Sequence, residues 1–137
     1  MQQQIFGCVE GAQTLYLATQ ATIGKPVIYL SRNDLELKQV SQGLSLFAPD
    51  IDVVCLPAWD CLPYDRLSPH GDITGERIST LSKLASTEIL NKKNVILLTI
   101  NSFLQKIPPK SFFLNASLKL YKGADYNLNE IASFLLD

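Results

Sequence analysis

Residues 94–100 (NVILLTI) place five branched aliphatic side chains in seven positions with no charge among them. Such a run has no polar face to turn toward water. It belongs in a strand covered on both sides, as in parallel sheets whose crossover helices pack on each face. Its composition places it at the centre of the sheet. Two similar runs precede it, residues 26–31 (PVIYLS) and 51–56 (IDVVCL), and the segments between them carry the helical period. Strands alternating with helices in this way define an α/β fold, a parallel sheet with helices on both faces.

The remaining elements follow from local signals. Residues 5–9 read as a short strand, the glycines Gly7 and Gly11 as a turn, and residues 12–22 as a helix. Asn33 with Glu36 forms a capping box that opens a helix whose Leu37, Val40, Leu44 and Phe47 share one face. Asp72 or Thr74 opens a further helix with the stripe Ile78, Leu81, Leu84 or Ala85, and Ile89. Residues 102–106 read as a turn of helix broken by Pro108 and Pro109, and residues 117–121 (SLKLY) alternate as an edge strand does. Gly123 turns the chain, and Asn127 with Glu130 caps a last helix running through Leu136. The length of 137 residues describes one domain, able to bury about two thirds of its unfolded surface. The alternation calls for another strand after Asp137, so the expectation is a piece of a longer, multidomain protein.

Charge and cysteine content exclude several classes. The net charge is −1, with four bases against seven acids in residues 1–70 and eight bases against six acids in residues 71–137. A protein that holds DNA by itself shows a stronger basic footprint. The three cysteines, Cys8, Cys55 and Cys61, are odd in number and lack CxxC spacing, so neither a disulfide framework nor a zinc site is expected. No apolar run approaches membrane-spanning length, and the start MQQQIF lacks the charge and apolar segment of a signal peptide. The expected location is the cytoplasm.

The densest chemistry lies in residues 54–81, which hold the only Trp, the only His and three of the seven prolines. Pro57, Pro63 and Pro69 prevent this stretch from continuing as helix or central strand, so it is an ordered loop between a strand end and a helix. Trp59 and Tyr64 can pack the loop onto the sheet or stack on a base or partner. Asp60, Asp65, Asp72 and Glu76 can hold turns and cap the helix, or coordinate magnesium. Cys61 and His70 are one possible nucleophile and base, against a packed thiol and a loop imidazole. Arg66 and Arg77 can pair with the neighbouring acids or read phosphate.

A second motif lies near the start. Gly7, Gly11, Ala12, Gln13 and Thr14 overlay the phosphate-loop pattern G-x-x-x-x-G-K-[ST], with Ala12 at the last glycine and Gln13 at the lysine. That lysine places a full charge on the β and γ phosphates while backbone N–H groups cradle them. Gln13 can donate hydrogen bonds but brings no charge.

The segment LPAWDCLPYDRLSPHGDITGERISTLSKL closely resembles the N-terminal region of the bacterial transcription-repair coupling factor (Mfd) family. Leu56, Pro57, Trp59, Asp60, Leu62, Pro63, Tyr64, Asp65, Ser68, Pro69, Arg77 and Leu81 fall on that family's motif, and PVIYLSRNDLELKQ and NVILLTINSFLQKIPP look like it as well. The resemblance implies a UvrB-like, P-loop-NTPase-like module whose phosphate loop has lost ATP hydrolysis. It implies no catalytic, metal or nucleotide site here, with Arg66, His70 and Asp72 joining the motif residues as structural or partner contacts. ATP and magnesium would act at a C-terminal motor, and UvrA, RNA polymerase and DNA would be met through other domains. The rival is a working nucleotide-binding domain in which Thr14 and Asp60 or Asp65 hold magnesium. UvrB's damage-probing hairpin is not visible.

Overall fold

The computed structural model describes residues 4–61, 66, 68–115, 117–118 and 120–136. Chain order is helix α1 (Glu10–Gln20), strand β1 (Val27–Ser31), helix α2 (Asp34–Phe47), strand β2 (Asp52–Leu56) and helix α3 (Gly71–Ala85). A 3-10 turn (Thr87–Asn91) then leads into strand β3 (Asn94–Thr99), followed by helices α4 (Ile100–Leu104), α5 (Lys110–Asn115) and α6 (Leu128–Leu136). The three strands form a parallel sheet in the order β1-β3-β2, with Val95 beside both Val27 and Val53. The uncharged run is therefore the central strand, and each of its six residues is buried.

Its side chains alternate between two cores. Val95 and Leu97 join Leu17 of α1 and Ala21 just after it, Val40 and Leu44 of α2, and Ala48 and Ile51 beyond it. Ile96 and Leu98 join Leu56, Leu81 and Ala85 of α3, and Phe113 of α5. Helices thus cover both faces of β3. The cover stops short of β1: Ile28 and Leu30, on the α3 side, remain 58% and 44% exposed where Ile96 and Leu98 are at 8% and 5%.

Asn33 caps α2 as its spacing requires, its side chain accepting from Glu36 N at 2.9 Å. The α3 stripe is rotated from the sequence reading. Arg77, Thr80, Leu81 and Ala85 face inward, whereas Ile78 is 54% exposed. Backbone carbonyls at the end of β2 reward hydrogen-bonding side chains on that face, which a count of apolar residues does not register. The N-cap of α3 is His70, two positions before the expected Asp72 and four before Thr74, with its ring nitrogen accepting from Asp72 N at 3.4 Å.

Three segments depart from expectation. Residues 5–9 form no strand; Gly7 takes φ +68°, which breaks an extended run, and Phe6 and Val9 are 85% and 71% exposed. The first helix accordingly starts at Glu10, before Gly11. The described residues of 117–121 form no strand either, because Ser117 bonds back to Phe113 O at 2.5 Å and to Ser82 Oγ at 2.6 Å, tying the chain to α5 and α3. The short helix ends before Pro108 and Pro109 as expected, but an unexpected helix, α5, starts directly after them, with Pro109 O accepting from Phe112 N at 3.0 Å. Proline fits a helix start, where its missing N–H would be unpaired anyway. Asn127 caps α6 through Asn129 N at 3.0 Å, and no described residue of α6 is buried.

Candidate functional site

Two polar clusters contain the residues singled out from the sequence. The first lies between α1 and α2. Gln13, half-buried, donates from Nε2 to Tyr29 Oη at 2.6 Å, and Tyr29 donates in turn to Glu36 Oε1 at 2.8 Å. The other carboxylate oxygen, Oε2, accepts from Arg32 N at 3.2 Å and Arg32 Nε at 3.3 Å. Burial, reinforced by the Glu36 carboxylate, pushes the Tyr29 phenol up to about 12. The Tyr29 hydrogen bond is the main reason the Glu36 carboxyl lies below its usual range. Sequence reasoning missed both Tyr29 and Glu36's second role; the only signal was a phenol inside an otherwise apolar strand.

Thr14 is 3% exposed and stands against Gly43 of α2. A Cβ at Gly43 would come within 2.7 Å of Thr14 Oγ1 and 3.0 Å of its Cγ2, so the glycine is what lets the two helices approach. Gly11 lies inside the first turn of α1 and Ala12 is exposed. The Gly11, Gln13, Thr14, Arg32 and Glu36 side of the cleft borders a cavity of about 640 Å3. Its charged lining is one guanidinium, of Arg32, and one carboxylate, of Glu36.

The second cluster joins the end of β2 to α3. Arg77, 1% exposed, donates from Nη1 to Pro57 O, and its guanidinium lies 4.4 Å from the centre of the Trp59 ring. Desolvation lowers the Arg77 pKa, yet a guanidinium stays charged at neutral pH. Thr80 Oγ1 donates to Cys55 O at 2.7 Å, and Ser102 Oγ donates to Leu56 O at 2.9 Å and Pro57 O at 3.3 Å. Trp59 N donates to Gln105 Oε1 at 3.2 Å. Every carbonyl from Cys55 to Pro57 thereby meets a side chain of α3 or α4. Thr80, Ser102 and Gln105 were absent from the sequence reading, since nothing local marks a serine or threonine that serves a distant carbonyl.

Asp60 accepts from His70 N with both oxygens at 3.3 Å, and His70 Nδ1 lies 3.6 Å from Asp72 Oδ2. The imidazole is thus committed to starting α3, and Cys61 is half-buried. Arg77 meets a carbonyl and an indole in its described contacts, rather than the acid expected for it. Arg66 and Ser68 are exposed and Pro69 is half-buried. Leu62, Pro63, Tyr64 and Asp65 lie outside the described residues. Among the described residues no three His, Cys, Asp or Glu side chains converge as a metal site, and no helix is long and apolar enough to cross a membrane.

No family model matches the chain. Curated relatives do. The chain is 33% identical over 111 residues to the transcription-repair-coupling factor of Rickettsia bellii, covering 80% of this chain and 10% of that protein. The factor of Rickettsia prowazekii is 33% identical over 106 residues, covering 77% and 9%. That of Escherichia coli K12 is 29% identical over 124 residues, covering 89% and 10%. The chain therefore spans about a tenth of the length of these relatives. The resemblance read from the loop motif is borne out across most of the chain.

Proposed function

We propose that this chain, a homologue of part of the transcription-repair-coupling factors, is a non-catalytic N-terminal scaffold within a longer protein that displaces RNA polymerase stalled at DNA damage and recruits UvrA for nucleotide excision repair. ATP hydrolysis, magnesium and DNA belong to other domains of that protein, and its place is the cytoplasm. The observation that carries this reading is the fate of the phosphate-loop positions. Gln13 spends its amide on Tyr29, Thr14 packs against Gly43, and a carboxylate rather than an ammonium group faces the cleft. The uncovered face of β1 supports the scaffold role, because Ile28 and Leu30 offer apolar surface on which neighbouring polypeptide can pack.

A thermal melt with and without millimolar Mg-ATP tests the silent phosphate loop, and Gln13→Lys repeats it with the missing charge restored. A ligand at 100 times its Kd adds about 2.7 kcal/mol of stability. No shift is expected in the native chain. A clear shift would reinstate the rival reading, a functional nucleotide-binding domain, and overturn the non-catalytic assignment. The scaffold role is tested separately by UvrA pull-down with a longer segment of the protein carrying Ile28→Lys and Leu30→Lys. Loss of binding or of assembly is expected; unaltered UvrA capture and melting would remove β1 from the proposal.

A further inference from the structure

A groove of about 530 Å3 opens between the N-terminal halves of α2 and α3, beyond the end of β2. Leu37, Cys55, Pro57, Ala58, Trp59 and Ile73 line it, and each is half-buried, neither sealed into a core nor fully solvated. Its volume lies in the range of clefts that accept a ligand or an anchoring side chain. The rim is charged and one-sided: Asp34, Asp60 and Glu76 contribute carboxylates, against Lys38 alone. All four of these rim residues are exposed. The walls are also held in place. Trp59 is fixed from behind by the Arg77 guanidinium and from its backbone by Gln105, while Asp60 is fixed by His70 N.

We infer that this groove docks a basic segment of a partner protein, inserting one aliphatic or aromatic side chain between Leu37, Trp59 and Ile73 and setting lysine or arginine against Asp34, Asp60 and Glu76. The carboxylates disfavour a nucleic-acid backbone, whose phosphates they repel. A neutral or acidic peptide would gain the apolar contact but lose the rim. Because Arg77 is already occupied under Trp59, the outer face of the indole is the surface left to the incoming side chain. The arrangement is independent of the reading of the phosphate loop, which lies on the other side of α2.

Trp59 is the only tryptophan of the chain and so reports directly on the groove. Its fluorescence is titrated with the capped hexapeptide Arg-Lys-Leu-Phe-Lys-Arg, with its counterpart Glu-Asp-Leu-Phe-Asp-Glu, and with Arg-Lys-Ser-Ser-Lys-Arg. In parallel, Cys55 of protein carrying Cys8→Ser and Cys61→Ser is labelled with a maleimide. The expected result is that the first peptide binds at least about tenfold more tightly than either control, slows Cys55 labelling, and weakens several-fold as salt rises from about 0.05 to about 0.3 M. Asp34→Asn with Glu76→Gln, two exposed changes that leave the melt intact, should lower its affinity about tenfold. Equal binding of the acidic peptide, no binding of the basic one at millimolar concentration, or binding that leaves both Trp59 and Cys55 unaffected would overturn the inference. So would a Trp59 signal that follows protein concentration alone, which marks self-association.

Discussion

The Arg77 corner and the Gln13–Tyr29–Glu36 relay both set hydrogen-bonding groups against an apolar core, yet only the corner buries a full charge. Arg77 does so at 1% exposure because its partners are a backbone carbonyl and an indole face, groups whose positions are set by β2 and by the proline at residue 57. The relay consists of side chains from three separate elements, α1, β1 and α2, and its charged end, Arg32 with Glu36, stays toward water. A surface pair of this kind contributes little by itself. Fixed acceptors allow deep burial, whereas a chain of side chains that ends in an exposed ion pair remains partly solvated. The first arrangement suits a structural joint and the second a cleft whose guanidinium and carboxylate balance each other.

The largest effect should come from the corner. Arg77→Ala removes a fully buried long side chain, leaves Pro57 O short of a donor and opens space beneath Trp59, so a loss of about 3 kcal/mol is expected in urea unfolding. Arg77→Met, which refills the space without the hydrogen bond, should recover roughly half of it. If Arg77→Ala proves nearly neutral, the corner is not the joint described here and the contrast with the relay fails.

The α1–α2 contact comes next. Gly43→Ala forces a methyl group to within 2.7 Å of Thr14 Oγ1, and overpacking of this kind should cost about 1–3 kcal/mol, partly offset by alanine's better helix propensity. Adding Thr14→Ala removes both clashing atoms and should restore stability. A double variant as unstable as Gly43→Ala alone would mean that the helices do not meet through this pair.

The smallest effect, and the one that sharpens the comparison most, concerns the relay. Tyr29 titrates near about 12 in the fold against an ordinary value near 10, so the folded state holds its proton more tightly than the unfolded one. That stability is fully present below pH ~10 and is lost as pH rises through about 12. Tyr29→Phe should cost about 1 kcal/mol at neutral pH and remove this part of the alkaline decline in the urea midpoint. The Arg77 variants should leave that limb as it is. A Tyr29→Phe protein with an unchanged alkaline profile would place the phenol in water rather than in the relay.

Residues 94–99 could be assigned as the buried central strand from sequence because Val95, Ile96, Leu97 and Leu98 run consecutively with no polar side chain on either face. Asn33 and Glu36 likewise announce the start of α2 through a contact only three residues long. The loop motif also identified the relatives. In contrast, residues 5–9 and the described residues of 117–121 have strand-like composition but pair with no strand among the described residues, and a strand exists only when another chain segment completes its hydrogen bonds. Arg77 and Thr80 face inward where an apolar count favours Ile78, because the carbonyls they satisfy come from residues more than 19 positions away.

What the sequence determined by itself was therefore governed by local chemistry: the three strands of the sheet, the caps of α2 and α6, and the absence of a lysine at Gln13. Only the tertiary structure decided which way α3 turns its polar residues, that Gln13 is spoken for by Tyr29, and that Thr14 meets Gly43. Those outcomes depend on distant backbone and side chains arriving at hydrogen-bonding or van der Waals distance, and such meetings leave no trace in the spacing of neighbouring residues.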